Sequence, residues 1–239
     1  MKLMIDDAVW GFNKIFSEFG EVVTLPGREI SRESLLDCDM LIVRSRTQVN
    51  QELLEGTKIS FVGSTVAGLD HIDESYLYKN NIAFSSAQGC NANAVAEYVI
   101  SALANLAHDY CFNLAEKSLG IIGVGNVGRR LDFKAKQLGM TTLLNDPPRE
   151  EKEGADGFVS IENALSADIV TFHTPLTNNG PYPTHNLLGS QNFNLITKDT
   201  ILINAARGGI IDEAIWEKIN TKANIIDCWE NEPNINRTL

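Results

Sequence analysis

Nothing in this 239-residue chain approaches the roughly 20 consecutive apolar residues of a membrane-spanning helix, so no membrane association is expected. Cysteine is scarce: the four residues at 38, 90, 111 and 228 include no Cys-x-x-Cys pair. That excludes a disulfide scaffold, and free thiols in a reducing cytosol are expected. No two histidines stand at metal-ligand spacing, so no metal is expected. Positive charge is also short, with 20 Lys and Arg against 31 Asp and Glu and a formal net charge of −11. A general nucleic-acid binder would want a basic face, so no nucleic-acid partner is expected. An anionic substrate remains open, because local N–H groups and arginines decide that. Internal repeats beyond two βα runs and low-complexity tracts are lacking too. A strand-like run already begins at residue 2, which leaves no room for a signal peptide and points to a cytoplasmic location.

What is present reads as α/β. The length suits one large or two ordinary domains, and 44% of residues are apolar. Strand-like runs are expected at 2–5, 22–25, 40–43, 59–62 and 82–85, with a helix containing Ile15, Phe16 and Phe19 closed by Gly20. Such alternation predicts a parallel sheet with helices on both faces. Ala94, Val95, Tyr98, Val99, Ala102, Leu103 and Leu106 then recur at helical spacing, predicting a long helix over 91–110 that leads into a second domain. Glu97 on that helix reads as a solvated charge. The boundary is set at residues 1–93 and 94–239.

The most informative stretch is 119–130, an apolar run entering Gly123-Val124-Gly125-Asn126-Val127-Gly128 and then a helix-like segment. Strand, tight turn, helix and a second strand over 141–144 give the glycine pattern its weight. Gly123 allows the sharp turn, Gly125 has no Cβ to block a pyrophosphate, and Gly128 lets the helix pack closely. The free N–H groups of that helix's first turn, Asn126 and Val127 among them, face the phosphates. Asp146 lies 18 residues beyond Gly128, near the spacing of the acid that accepts from an adenosine ribose, which favours NAD over NADP, with Arg149 close by. Pro147-Pro148-Arg149 is read as a break, followed by an acidic loop over 150–156.

Further strands are expected at 169–172, 200–203 and 224–228, each ending in a polar or glycine-containing turn. Arg207 could grip a carboxylate from a strand's carboxyl end, and Glu232 could orient a histidine; on spacing alone each could equally be a surface ion-pair residue. His71 reads as a turn residue, His108 as a helix-end cation, His173 as structural or cofactor-side, and His185 as solvated.

Taken together, the stretches 43–47, 63–73, 123–128, 172–176, 204–208 and 227–233 resemble the D-isomer-specific 2-hydroxyacid dehydrogenases. The resemblance implies a flavodoxin-like substrate domain followed by a Rossmann dinucleotide-binding domain. It also implies NAD-linked oxidation of a small phosphorylated 2-hydroxy acid, either 4-phospho-D-erythronate or 3-phosphoglycerate. On that basis Ser45, Thr65, Val66, Ala67 and Gly68 would contact substrate, with Val66 standing where a threonine hydroxyl is expected. Gly123, Gly125, Asn126, Val127, Gly128, Asp146, Thr174, Ala205 and Asp227 would contact NAD. Arg207 would bind the reacting carboxylate and oxygen, and Glu232 would pair with the acid–base histidine. The family places that histidine, and a homodimerisation region, downstream of the glutamate, so the fold is expected to be C-terminally incomplete. A missing proton acceptor typically forfeits a factor of roughly 10² to 10⁴. A catalytically silent NAD-binding fragment or sensor is the other reading.

Overall fold

Short apolar strands joined by capped helical turns form two parallel sheets in this computed structural model, which describes residues 1–232, 234 and 235. Pro233, the last residue of the turn expected after the final strand, lies outside the described residues. The chain divides into Met1–Asn91 and Ala92–Leu239.

In the first unit β1 (Lys2–Asp6), β2 (Glu21–Leu25), β3 (Met40–Val43), β4 (Phe61–Ser64) and β5 (Ala83–Ser86) pair in the order β2-β1-β3-β4-β5, all parallel. Strand periodicity sends alternate side chains to opposite faces. Leu3 and Ile5 join Val9 and Ile42 on one side, while Met4 packs with Leu41, Val43 and Val62 on the other. Between the strands run α1 (Phe12–Phe16), α2 (Arg32–Leu35), α3 (Gln51–Leu54) and α4 (Glu74–Lys79). Each is too short to hold itself, so caps and packing carry them: the Asn50 and Asp73 side-chain Oδ1 atoms accept from Leu53 N at 3.1 Å and Tyr76 N at 2.9 Å.

Two expectations need correcting here. The first helix is a single turn that leaves Ile15 and Phe19 exposed, because Gly11 begins it in a left-handed conformation and only a few residues remain before β2. The fourth strand sits two residues later than the apolar run suggests, at Phe61–Ser64, because pairing with β3 and β5 sets its register.

The second unit opens with α5 (Ala92–Asp109), followed by β6 (Ser118–Ile122), α6 (Asn126–Gln137), β7 (Thr141–Asn145), α7 (Pro147–Glu153), α8 (Ile161–Leu165), β8 (Ile169–Phe172), β9 (Ile201–Asn204) and β10 (Ala223–Ile226). Its order, β7-β6-β8-β9-β10, repeats that of the first sheet. The buried stripe of α5 is Ala92, Ala96, Val99 and Leu103, while Ala94 and Tyr98 are exposed. Glu97 is solvated and pairs with Lys134 on α6 at 3.3 Å. One core gathers Leu119, Ile121, Leu131, Ile169 and Ile203. The other gathers Ile122, Leu165, Val170, Phe172 and Leu202 on the opposite face. No described helix is long and apolar enough to cross a membrane.

The two prolines at 147 and 148 start a helix rather than break one. They occupy the first helical positions, where a missing N–H costs nothing, and Asp146 caps the turn by accepting from Arg149 N at 3.2 Å. The expected acidic loop is therefore helical as far as Glu153. The last strand ends at Ile226, two residues before the expected Cys228.

Candidate functional site

In a 2-1-3-4-5 sheet the crevice for a ligand opens at the carboxyl ends of the strands, where the order reverses. In the second unit that place lies between β6 and β8. The turns leaving them, through Gly123 and Gly125 and through His173, Thr174 and Pro175, line one cavity of ≈ 460 Å³. Asn145 and Asp146 at the end of β7, Pro147 and Pro148 of α7, and Pro181, Tyr182 and Pro183 complete a largely apolar wall. Asn126, Val127 and Gly128 form the first turn of α6, whose cap residue Gly125 makes no side-chain cap bond. The leading N–H groups therefore have no side-chain acceptor from the cap.

The glycines differ in what they allow. Gly123 has φ 89°, and a Cβ there would come within 2.7 Å of the His173 carbonyl, so both conformation and space demand glycine. At Gly125 an added Cβ would meet nothing within 4 Å, so its face is open.

Asp146 works harder than its spacing suggests. Its Oδ2 accepts from Val124 N at 2.7 Å, tying β7 to the glycine turn, while Oδ1 caps α7. A carboxylate offers about four lone-pair sites, so two remain for a ribose diol. Arg149 grips the same residue from the other side, donating from Nη1 to the Val124 carbonyl at 2.6 Å.

His173 is half-buried with its ring Nδ1 shielded from solvent, and desolvation pushes its pKa down to about 4, so it is neutral at pH 7. Its Nε2 lies 2.9 Å from Thr171 Oγ1, and its backbone N–H donates to the Ile122 carbonyl at 2.7 Å. His173 Nδ1 and Thr174 Oγ1 are buried with no hydrogen-bond partner, and both residues line the cavity. Buried polar atoms without partners are uncommon, and a polar ligand would satisfy them.

A second group of expected residues gathers at the ends of β9 and β10. Asn204, buried, accepts from Ala206 N at 3.1 Å and donates to the Arg207 carbonyl at 2.8 Å, shaping the turn that carries Arg207. Arg207 also donates from Nη1 to the Ala206 carbonyl at 2.7 Å. A Cβ at Gly208 would lie 2.2 Å from the Trp229 carbonyl, so this turn packs against the one following β10. There Glu232 accepts from Trp229 N at 2.7 Å, and Asp227 N donates to the Asn204 carbonyl at 2.9 Å. Burial, then Asp227 and Glu232, push the Cys228 thiol up to about 11 against the pull of Arg207, which marks this thiol as unreactive and its neighbours as close. Ala205 is half-buried beside Asn204; neither it, Asp227, Arg207 nor Glu232 lines the cavity at β6.

In the first unit the substrate candidates are less gathered. Ser45 is exposed, Val66, Ala67 and Gly68 are half-buried, and Thr65 donates from Oγ1 to the Val43 carbonyl at 3.2 Å. That hydroxyl's proton is engaged by the backbone, so Thr65 offers a ligand only acceptor capacity. The ≈ 530 Å³ cavity of this unit involves none of them; Gly27, Arg28, Arg46, Thr47 and Asn50 are among its walls. His71 is buried beside Ser64, with Nε2 and Oγ 3.3 Å apart, rather than simply closing a turn, whereas His108 ends α5 and His185 is exposed. Among the described residues no group of three His, Cys, Asp or Glu is placed to hold a metal. Sequence reasoning missed the clamp by Arg149 and the shaping of the Arg207 turn by Asn204. No spacing marks either, since both act through main-chain atoms.

Residues 94–239 match the family described as D-isomer specific 2-hydroxyacid dehydrogenase, NAD binding domain. The chain belongs to this family. The resemblance read from the motifs therefore holds, and NAD is the cofactor of the second unit. The chain is 58% identical over 239 residues to the erythronate-4-phosphate dehydrogenase of Ruthia magnifica subsp. Calyptogena magnifica, spanning all of this chain and 69% of that protein. It is 59% identical to the enzyme of that name from Hydrogenovibrio crunogenus, of which it spans 63%. Among solved structures, a cofactor-bound 3-phosphoglycerate dehydrogenase of Entamoeba histolytica matches 98% of this chain and 82% of its own, at 26% identity and a TM-score of 0.75. A glyoxylate reductase from Paecilomyes thermophila matches the fold at a TM-score of 0.79, 22% identity, and 99% and 83% coverage. The chain thus spans about two thirds of the curated relatives it matches.

The cavity at β6 fits the cofactor: an open glycine face for the diphosphate, two remaining acceptor sites on Asp146 for the ribose, and two buried polar atoms on its wall. When bound, NAD would supply the hydride acceptor.

Proposed function

We propose that this chain is the substrate and cofactor portion of an NAD-dependent erythronate-4-phosphate dehydrogenase, oxidising 4-phospho-D-erythronate to (R)-3-hydroxy-2-oxo-4-phosphooxybutanoate in pyridoxal phosphate biosynthesis. Two facts support the reading together. Relatives of that name share 58–59% of residues along essentially the whole chain, and the glycine-turn cavity carries the polar atoms a dinucleotide would use. In this reading the first unit is the substrate domain, residues 1–93, and residues 94–239 are the NAD domain. Ser45 and 65–68 contact the acid, while Thr174, Ala205 and Asp227 join the glycine turn and Asp146 on the cofactor. Arg207 holds the reacting carboxylate and polarises the oxygen beside it; a guanidinium offers two parallel donors for this. Glu232 orients the histidine that takes the hydroxyl proton and raises its basicity. The whole enzyme acts in the cytoplasm as a homodimer.

Side-by-side turnover on 4-phosphoerythronate and 3-phosphoglycerate, using a polypeptide that carries the downstream histidine, tests the substrate. A clear preference for the four-carbon acid is expected, and equal or reversed preference would overturn it. The 239-residue chain itself should bind NADH but oxidise 4-phosphoerythronate negligibly. Robust NADH production by it would mean that one of its own four histidines, or water, is the base.

A further inference from the structure

Asp146 explains why a ribose is welcome, but a carboxylate alone does not explain what becomes of the arginine three residues later. Arg149 lies where a cation would commonly reach a 2′-phosphate. Here every arm of its guanidinium is engaged. Nε and Nη2 form a two-pronged pair with Glu153 at 2.8 and 2.5 Å, and Nη1 donates to the Val124 carbonyl at 2.6 Å. The group also lies over the Phe158 ring, 5.3 Å from its centroid. Val124 is consequently clasped at both ends of its main chain, N–H by Asp146 and C=O by Arg149, between the two glycines that shape the diphosphate turn.

We infer that Glu153 is a determinant of cofactor choice: it holds Arg149 on the Val124 carbonyl, where the arginine positions the glycine turn, and withholds its remaining donors from a 2′-phosphate. The inference rests on NAD occupying the cavity at β6, and it adds a residue outside the cavity wall to those that decide which dinucleotide enters. A bidentate carboxylate occupies the same fork that a phosphate would use, so the two compete directly. Lys152 and Arg129 are the other cations near Glu153; Arg129 Nε donates to the Gly125 carbonyl at 3.3 Å.

Fluorescence titration of the purified chain with NADH and with NADPH reads the inference without turnover. Glu153→Gln keeps the helix and removes the charge; NADPH should bind about 10-fold tighter while NADH changes by less than about 3-fold. Arg149→Met should weaken NADH about 10-fold by loosening the turn, and Arg149→Lys, which can still donate to the Val124 carbonyl, should recover most of that loss. The double variant Arg149→Met with Glu153→Gln should show no NADPH gain. An unchanged NADPH-to-NADH ratio in Glu153→Gln would overturn the inference while leaving the cofactor reading intact. Persistence of the gain in the double variant would overturn it too, by assigning the phosphate to Arg129 or Lys152. Failure of the unaltered chain to bind NADH would overturn the cofactor reading and this inference with it.

Discussion

In the first unit β1 runs out into Asp6 and Asp7; in the second, β6 runs out into Gly123, Val124 and Gly125. The sheets share one strand order, and in both the loops flanking the point of reversal stand side by side. In the first unit side chains occupy that place. The Asp6 carboxylate is buried under Gly27, where a Cβ would come 2.4 Å from Oδ2, and Arg44 donates to the Ala8 carbonyl at 2.9 Å, lacing the two loops together. In the second unit Gly123 and Gly125 place main chain without a Cβ on the cavity wall, at the entrance to a 12-residue helix. Topology offers the same crevice twice; the residues leaving the first strand decide what each can take.

The sharpest way to break this comparison is to give the second crevice a side chain. Gly125→Val should weaken NADH binding by about 100-fold or more, because the branched Cβ stands where a diphosphate approaches. Its melting temperature should stay within about 3 °C of the parent, since that face meets nothing within 4 Å. A large loss of stability with unchanged binding would refute the assignment of the open face.

Acid should separate the units next. The folded pKa of His173, about 4, lies below the ordinary value of 6.5, so between these limits the unfolded chain binds a proton that the folded chain does not. Stability is then full above about pH 6.5 and falls with pH, by about 2 kcal/mol at pH 5, through this group alone. Denaturant melts of the unaltered chain and His173→Gln across pH 5–7 should show the slope shrinking in the variant. A slope that survives the substitution would place the sensitivity elsewhere.

Asp146→Ala should weaken NADH several-fold and cost about 1 kcal/mol of stability, because the same carboxylate caps α7 and holds Val124 N. An unchanged titration would remove that acid from the site. The smallest effect is expected from the mirror change in the first unit. Asp6→Asn keeps an acceptor for the Ala8 N–H bond of 2.9 Å and should leave NADH binding unaltered, with a melting shift below about 3 °C. A larger change in NADH affinity would mean that the two crevices do not act separately.

Most of the fold was legible because apolar period and turn chemistry are local. The third and eighth strands lie where their residues predict, and the other strands fall within two positions. Errors came where a neighbour sets the answer. The sheet decided the register of β4, and Asp146 turned Pro147 and Pro148 from an apparent break into a helix start. The glycine turn was legible for the same reason as the strands. Asn204 was not, because a buried amide that shapes a turn through main-chain bonds looks in sequence like any strand-end polar residue.

By itself the sequence determined the α/β alternation, the glycine turn and the acid 18 residues beyond it, since each depends on residues close along the chain. Only the tertiary structure decided that Asp146 and Arg149 clasp one residue, Val124, that Glu153 engages the arginine, and that His173 is desolvated and neutral. Hydrogen-bond partners and desolvation are set by what the fold brings near, and no local spacing encodes them.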